Sequence, residues 1–441
     1  RVFDVRGPIN VSFTDLTIRG GNEPTGAAGG GGVSNEGKAT FTDVIVTGNA
    51  TGSGGGGVSN GTGATSTFVD SSIIGNVAAA SGGGVRNGSG AISNFIDTTI
   101  SGNNTNVSGG GISNDGTANL SNTTVSANGA ANDGGGIFNS ALAATSVVNS
   151  TISGNRSNLS GGGVYGGATT LANVTVSANV ADVDANGMGD GGGVAGTAVT
   201  AKNSIIGGNT DASPPPALVN PDCQAALTSQ GYNLISNNSG CTGSAGPGDK
   251  IGSAVSPIPS GLGPLANNGG PTFTHSLVGS SPAHNAGSPA PPGGSGDACA
   301  ATDQRGVPRP QGGRCEIGAF EAAECFDAIA NRVGTSGADV LRGTSGPDVF
   351  LGFGGNDRIK GLGGNDRACG GNGKDTLVGG GGKDRLAGGD GRDRLFGGDG
   401  ADLLRGGGAP DALIGGPGSD RCAGGSGADR AATCEREGQI P

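Results

Sequence analysis

The chain is poor in the residues that build an ordinary globular core. Among 441 residues there is no tryptophan, one methionine and two tyrosines, and aromatic residues make up 3% of the total. Charge is also scarce, at 14%, and acids outnumber bases to leave a net charge of −11. That sign argues against nucleic acid as a partner, because a phosphate backbone is held by lysine and arginine. No run of 18 apolar residues occurs, so no membrane span is expected. The eight cysteines form no Cys-x-x-Cys pair, which favours disulfides over zinc and, with them, an exported protein. What the chain has instead is glycine, 98 residues of it. Glycine at this level without the collagen period, but with longer periods, points to solenoids that bury small stacked side chains coil by coil. Arg1 falls inside an apparent repeat, so a mature chain or fragment lacking its leader is expected.

The tightest period runs through residues 334–432. Aspartate recurs every nine residues, at Asp339, Asp348, Asp357, Asp366, Asp375, Asp384, Asp393, Asp402, Asp411, Asp420 and Asp429. Two residues after each stands an apolar or small residue, from Leu341, Phe350 and Ile359 through Leu413 to Cys422 and Ala431. One unit reads Gly370-Gly371-Asn372-Gly373-Lys374-Asp375-Thr376-Leu377-Val378. Its glycines permit the positive φ of a tight loop, and the residues after the aspartate suffice for a short strand with the apolar residue facing inward. In a coil of two units, unit i lies above unit i+2. At a stacking distance of ~4.8 Å and an effective dielectric of ~20, neighbouring carboxylates repel by roughly 3.5 kcal/mol. A core of single leucines cannot offset that together with the ordering entropy, so a bound cation supplies folding free energy. Hard oxygen ligands suit Ca²⁺. All eleven aspartates are therefore candidate metal ligands, and ions lying between loops i and i+2 number at most nine.

The Gly-Gly-x-Gly-x-Asp-x-U-x unit resembles the RTX (haemolysin-type) calcium-binding repeat, and the resemblance implies a parallel β-roll. Several units depart from it. Thr335, Thr344, Phe353 and Leu362 stand where the second glycine is expected, and Ala409 replaces the fourth glycine beside Pro410. Arginine follows the aspartate in six units, at Arg358, Arg367, Arg385, Arg394, Arg421 and Arg430, which reads as a solvated, charge-balancing edge.

Residues 1–212 carry a looser repeat of 25 to 30 residues. Glycine-rich turns precede Val33, Val58, Val85, Ile112, Ile137, Val164 and Val194, and a turn asparagine follows at Asn49, Asn76, Asn103, Asn128, Asn155, Asn179 and Asn209. Apolar columns run from Val46 through Ile73 and Ile100 to Ile206, and from Phe41 through Phe68 and Phe95 to Leu171. Another column passes from Asp43, Asp70 and Asp97 to Asn122, Asn149, Asn173 and Asn203. Short β-branched strands at this period fit a right-handed parallel β-helix, with the turn asparagines stacked as amide ladders. The Gly-Gly-Gly-Val and Phe-x-Asp pairing is similar to the repeats of polymorphic outer-membrane proteins and related β-helix adhesins. The loop of Asp182, Asp184 and Asp190 reads as a solvated insertion ahead of a second calcium site.

Residues 213–323 change character after Pro214-Pro215-Pro216. The runs Gly263-Pro264-Leu265-Ala266-Asn267-Asn268-Gly269-Gly270-Pro271, Thr302-Asp303-Gln304-Arg305-Gly306 and Cys315-Glu316-Ile317-Gly318-Ala319-Phe320-Glu321 resemble the choice-of-anchor Q domain of bacterial surface proteins. An irregular cap over the open end of the helix is expected, tied by an Asp303–Arg305 pair and disulfides Cys223–Cys241 and Cys299–Cys315. Residues 324–333 read as a connector and 433–441 as a tail, with Cys422–Cys434 near the end; Cys325 and Cys369 are left over. The expected protein is thus all-β: a right-handed parallel β-helix, an irregular capping segment and a calcium-binding parallel β-roll. Its expected place is the cell surface or the extracellular space, reached by signal-peptide export, as a monomer with surface glycans or matrix proteins as partners. Catalysis needs clustered carboxylates with a base in a groove. The helix offers only scattered Asp, Lys38 and Lys202, and no aromatic sugar platform beyond Tyr165, so a polysaccharide lyase or hydrolase is the alternative to a non-enzymatic adhesive or structural protein. Ice binding through Thr99, Thr124, Thr151 and Thr175 is a third reading, resting on four coils only.

Overall fold

A computed structural model describes residues 1–24, 29–214, 219–278, 280–311, 313–326, 328–335 and 337–438, so Pro215 and Pro216 lie outside the described residues. Every regular element among them is a strand. The chain forms two compact units, Arg1–Ala266 with Pro271–Glu321, and Asn267–Gly270 with Ala322–Pro441.

The first unit is a parallel β-solenoid. Its coils contribute strands to three sheets, of 14, 10 and 8 strands, and the repeat length sets the register. Phe41 pairs with Phe68 and Phe68 with Phe95, and their rings stack with centroids 4.5 and 5.1 Å apart. Val46, Ile73, Ile100, Val125, Ile152, Val176 and Ile206 line up in the same way on the second sheet and are buried. Burying each such side chain contributes about 1.5–3 kcal/mol, which a solenoid collects coil by coil. Asn10–Thr14 pairs with Lys38–Thr42 and Asn22–Glu23 with Ala50–Thr51, so the turn at Asp15 does open one more coil.

Two kinds of turn make this stacking workable. The column from Asp43 to Asn203 holds left-handed backbone at φ 45 to 56°, a conformation that asparagine and aspartate tolerate best after glycine. The turn asparagines form the expected ladder: Asn49 Nδ2 donates to Asn76 Oδ1 at 3.0 Å, and the chain continues through Asn103, Asn128, Asn155 and Asn179 to Asn209. It ends on Asp222, whose carboxyl is pushed up to about 6 chiefly by burial. A second ladder, Asn35–Asn60–Asn87–Asn114–Asn139, also runs through the core.

The sheets continue past residue 212. Cys223–Ser229 pairs with Val194–Lys202, and Leu234–Ile235 and Lys250–Ile251 extend the second sheet. Cys223 there occupies the column of Val194, so the coil lacks the glycine run and valine that mark the earlier ones, although Ile235 continues the column of Ile206. The irregular segment after it differs from expectation in place. Residues 271–321 lie along the flank of the second sheet, where Thr124 Oγ1 donates to the Phe273 carbonyl and Thr151 Oγ1 to Gln304 Oε1, each at 2.6 Å. Ala319 N–H reaches Thr175 Oγ1 at 3.1 Å. A row of hydroxyls supplies the partners that irregular backbone must find when buried. Thr124, Thr151 and Thr175 are thereby covered, which removes the ice-binding reading.

The second unit is a smaller parallel solenoid with two sheets of seven and six strands. Strands pair at a separation of 18 residues, as in Ile359 with Leu377 and Leu377 with Leu395, so two nonapeptides make one coil. Phe350, Ile359, Ala368, Leu377, Leu386, Leu395, Leu404, Leu413 and Cys422 are its buried core. Phe326 lies 4.6 Å from the Arg385 guanidinium and 5.4 Å from that of Arg405. Four disulfides close the chain: the three expected pairs, Cys223–Cys241, Cys299–Cys315 and Cys422–Cys434, and Cys325–Cys369, which unites the two left over.

Candidate metal centre

In the smaller solenoid the aspartates form two columns, one per side. Each backbone N–H from Asp339 to Asp411 donates to the Oδ1 of the aspartate 18 residues on, at 2.8–2.9 Å. The carboxylates are thus fixed by the coil above them. Asp348 through Asp420 are buried to 3% exposure or less, while Asp339 and Asp429, at the ends, are half-buried.

The second oxygen is the informative one. In nine aspartates, Asp357 through Asp429, Oδ2 is buried and accepts no hydrogen bond. A buried oxygen left in this state costs about 1–3 kcal/mol, and more when charged. In these loops that oxygen lies against the first glycine of its own unit, as Asp375 Oδ2 does against Gly370. A Cβ on Gly370 would collide with it and lie 2.7 Å from the Gly388 carbonyl, so glycine keeps open a space bounded by carboxylate and carbonyl oxygens. The electrostatics agree. Burial, followed by the like charges one coil away, pushes the carboxyls of Asp357, Asp384 and Asp393 up to about 6, and Asp366, Asp375, Asp402 and Asp411 are raised as well. A divalent cation among these oxygens would remove both penalties, and an all-oxygen donor set selects Ca²⁺. Among the described residues no three acid, histidine or cysteine side chains meet at one point; backbone carbonyls would complete the coordination.

A family model for the RTX calcium-binding nonapeptide repeat matches residues 333–368, 370–404 and 396–431. This part of the chain is an RTX repeat array. No curated protein and no solved structure gives a significant match to the chain. Within the RTX roll Arg367 stands opposite Arg385 one coil on, whereas Arg358, Arg394 and Arg430 alternate with Thr376 and Ala412 in their column. On one flank Lys374, Arg392, Arg394 and Arg430 share a groove of about 480 Å³ with Asp375, Asp393 and Asp411.

The Asp182 loop and the Asp303–Arg305 pair singled out from sequence are satisfied without a ligand, as are the buried groups around that pair. Asp182 takes the N–H groups of Asn186 and Gly187 at 3.0 and 2.8 Å, and Asp190 is held by Asn220 and Gln224. Asp303 accepts from the backbone of Arg305, Val307 and Glu321 and from the Arg305 side chain, all buried. Arg309 pairs with Glu321 at 2.9 Å, and the Arg305 guanidinium sits 3.7 Å over the Phe320 ring. His275 lies between Ser153 Oγ and the Gly263 carbonyl, and burial pushes its pKa down. Its Nδ1 must then carry the proton donated to Gly263, leaving Nε2 to accept from Ser153. This is a structural knot, as the Asp–Arg reading anticipated. Sequence reasoning missed Glu321 and Gln304 as its members, and the Asn35 ladder, although Val-x-Asn or Ile-x-Asn after the glycine runs from Val33 to Ile137 was visible.

Proposed function

We propose that this chain is an exported, non-enzymatic adhesive or structural protein whose RTX roll is ordered by Ca²⁺ bound through its aspartate columns. The observation that carries the reading is the set of nine buried Oδ2 atoms without a hydrogen bond, which a cation satisfies and water-exposed loops would not need. Four disulfides and the calcium-binding repeats fit an extracellular protein, and the resemblance of residues 213–323 to a surface-anchoring domain supports a place at the cell surface. The long β-helix then serves as the displayed surface, with glycans or matrix proteins as partners.

The β-helix cleft beside Arg86 gives the enzymatic alternative little support. The cleft beside Arg86, of about 420 Å³, holds Asp115 as its one carboxylate, and Arg86 stands 3.7 Å from it. Glycoside cleavage uses two carboxyl groups flanking the bond. Circular dichroism of the chain during Ca²⁺ titration tests the calcium reading: a β signal that grows with the ion, half-complete at about 0.1–1 mM as for extracellular modules, is expected. A signal indifferent to chelator would sink it. A screen against acidic polysaccharides tests the other half, and turnover of any of them removes the non-enzymatic reading.

A further inference from the structure

The eleven loops are of two kinds. In the nine that contain Asp357 through Asp429, the second and fourth positions both hold positive φ: Phe353 at 70°, Leu362 at 85°, the glycines at 103 to 142°, and Ala409 at 69°. In the first two loops Thr335, Thr344 and Gly346 all lie outside that region. The different backbone brings a different partner to the aspartate. Thr335 donates both its N–H and its hydroxyl to Asp339 Oδ2, at 2.6 and 3.0 Å. Thr344 does the same for Asp348, at 2.7 and 2.9 Å. Each threonine hydroxyl also accepts the N–H two residues on, at 3.1 Å, which closes the loop on itself. Asp348 is neutralised further by Arg332, whose Nε lies 3.3 Å from Oδ1. The oxygen that is orphaned in every later loop is therefore saturated here, and the charge of the second loop is balanced by protein.

We propose that the first coil of the roll is ion-free, with Thr335 and Thr344 standing in for calcium, and that Ca²⁺ occupies only the loops of Asp357 through Asp429. This deepens the calcium reading above and rests on it. With ions between loops i and i+2, nine competent loops hold at most seven, in place of the nine that eleven loops would allow. A threonine-closed coil also gives the roll an edge that holds its shape before any metal arrives, on which the first calcium-bound coil can stack.

The test is a count of bound Ca²⁺ on the full chain, by equilibrium dialysis with atomic absorption, together with the calcium midpoint from circular dichroism. Wild-type chain is expected to bind seven ions or fewer. The pair Asp339→Asn and Asp348→Asn is expected to leave the count unchanged and the midpoint within about two-fold, whereas Asp375→Asn with Asp393→Asn should lose ions. Eight or more ions on the wild type, or an ion lost from the first pair, overturns the assignment while leaving the roll a calcium binder. A wild-type chain that binds no Ca²⁺ at all overturns the calcium reading itself, and this inference with it. The wild-type count decides even if a variant does not fold.

Discussion

At the scale of single residues, the roll is a set of carboxylates held where they cost most. The folded pKa values of Asp357, Asp384 and Asp393 are pushed up to about 6 from 3.8, by burial first and by stacked neighbours second. The metal-free folded roll therefore binds protons more tightly than the unfolded chain. These groups contribute stability that is fully present below about pH 3.8 and is lost as pH rises through about 6. In chelator, the β signal of the roll should be stronger at pH 4.5 than at pH 7.5, and a signal that instead grows toward neutral pH contradicts the assignment. Calcium reverses the dependence, since protons compete with the ion. Position in the column matters as well. Asp384→Ala or Asp393→Ala removes a carboxylate with coils on both sides, whereas Asp339→Ala alters a half-buried end loop already closed by Thr335. The first two variants should raise the calcium midpoint severalfold and the third little; equal shifts for all three would rule out stacked sites. Ala409 is the one fourth-position residue with a Cβ in left-handed backbone, at φ 69° against 104 to 142° for the glycines of the same competent loops. Ala409→Gly should relieve about 1 kcal/mol of that strain and lower the midpoint, measured by the same titration.

At the scale of elements, the columns were legible because a solenoid writes its register into the sequence. Phe41, Phe68 and Phe95 are spaced by one coil and pair directly, and the nine-residue aspartate period became two carboxylate columns with no further information needed. What the sequence hid is what depends on local backbone rather than on period. Nothing in the spacing of Asp339 and Asp348 separates them from the other nine; the difference lies in two threonines that donate N–H and hydroxyl to the carboxylates. The flank packing of residues 271–321 was hidden for a related reason, since irregular backbone docks by hydrogen bonds such as Thr151 to Gln304, which carry no period. The leftover cysteines belong to this class too. Cys325–Cys369 closes a loop of 44 residues, and a constraint of that length removes about 4 kcal/mol of unfolded-chain entropy at 25 °C. It spans the threonine-closed coil and the first calcium-type loops. Cys325→Ser with Cys369→Ser should therefore raise the calcium midpoint without abolishing the transition. An unchanged midpoint would mean that the bridge constrains nothing the metal-free chain explores.

At the scale of the molecule, the two solenoids solve one problem by different means. Both stack short parallel strands, and a parallel stack repeats every side chain above its own kind. In the first unit the repeated side chains are apolar or amide. Stacked phenylalanines, a β-branched column and two asparagine ladders reward repetition directly, and the aspartates of the turn column give way to asparagine from Asn122 onward. In the second unit the repeated side chain is a buried carboxylate, and repetition is penalised until a cation is present. The first unit should accordingly hold its fold in chelator, whereas the roll should not. Thermal melts of the full chain followed by circular dichroism are expected to show a transition that disappears or falls sharply in EGTA and another that stays within a few degrees. Loss of all β signal in EGTA at 25 °C would tie both solenoids to calcium and remove the distinction between a core that stacks on its own chemistry and one that waits for an ion.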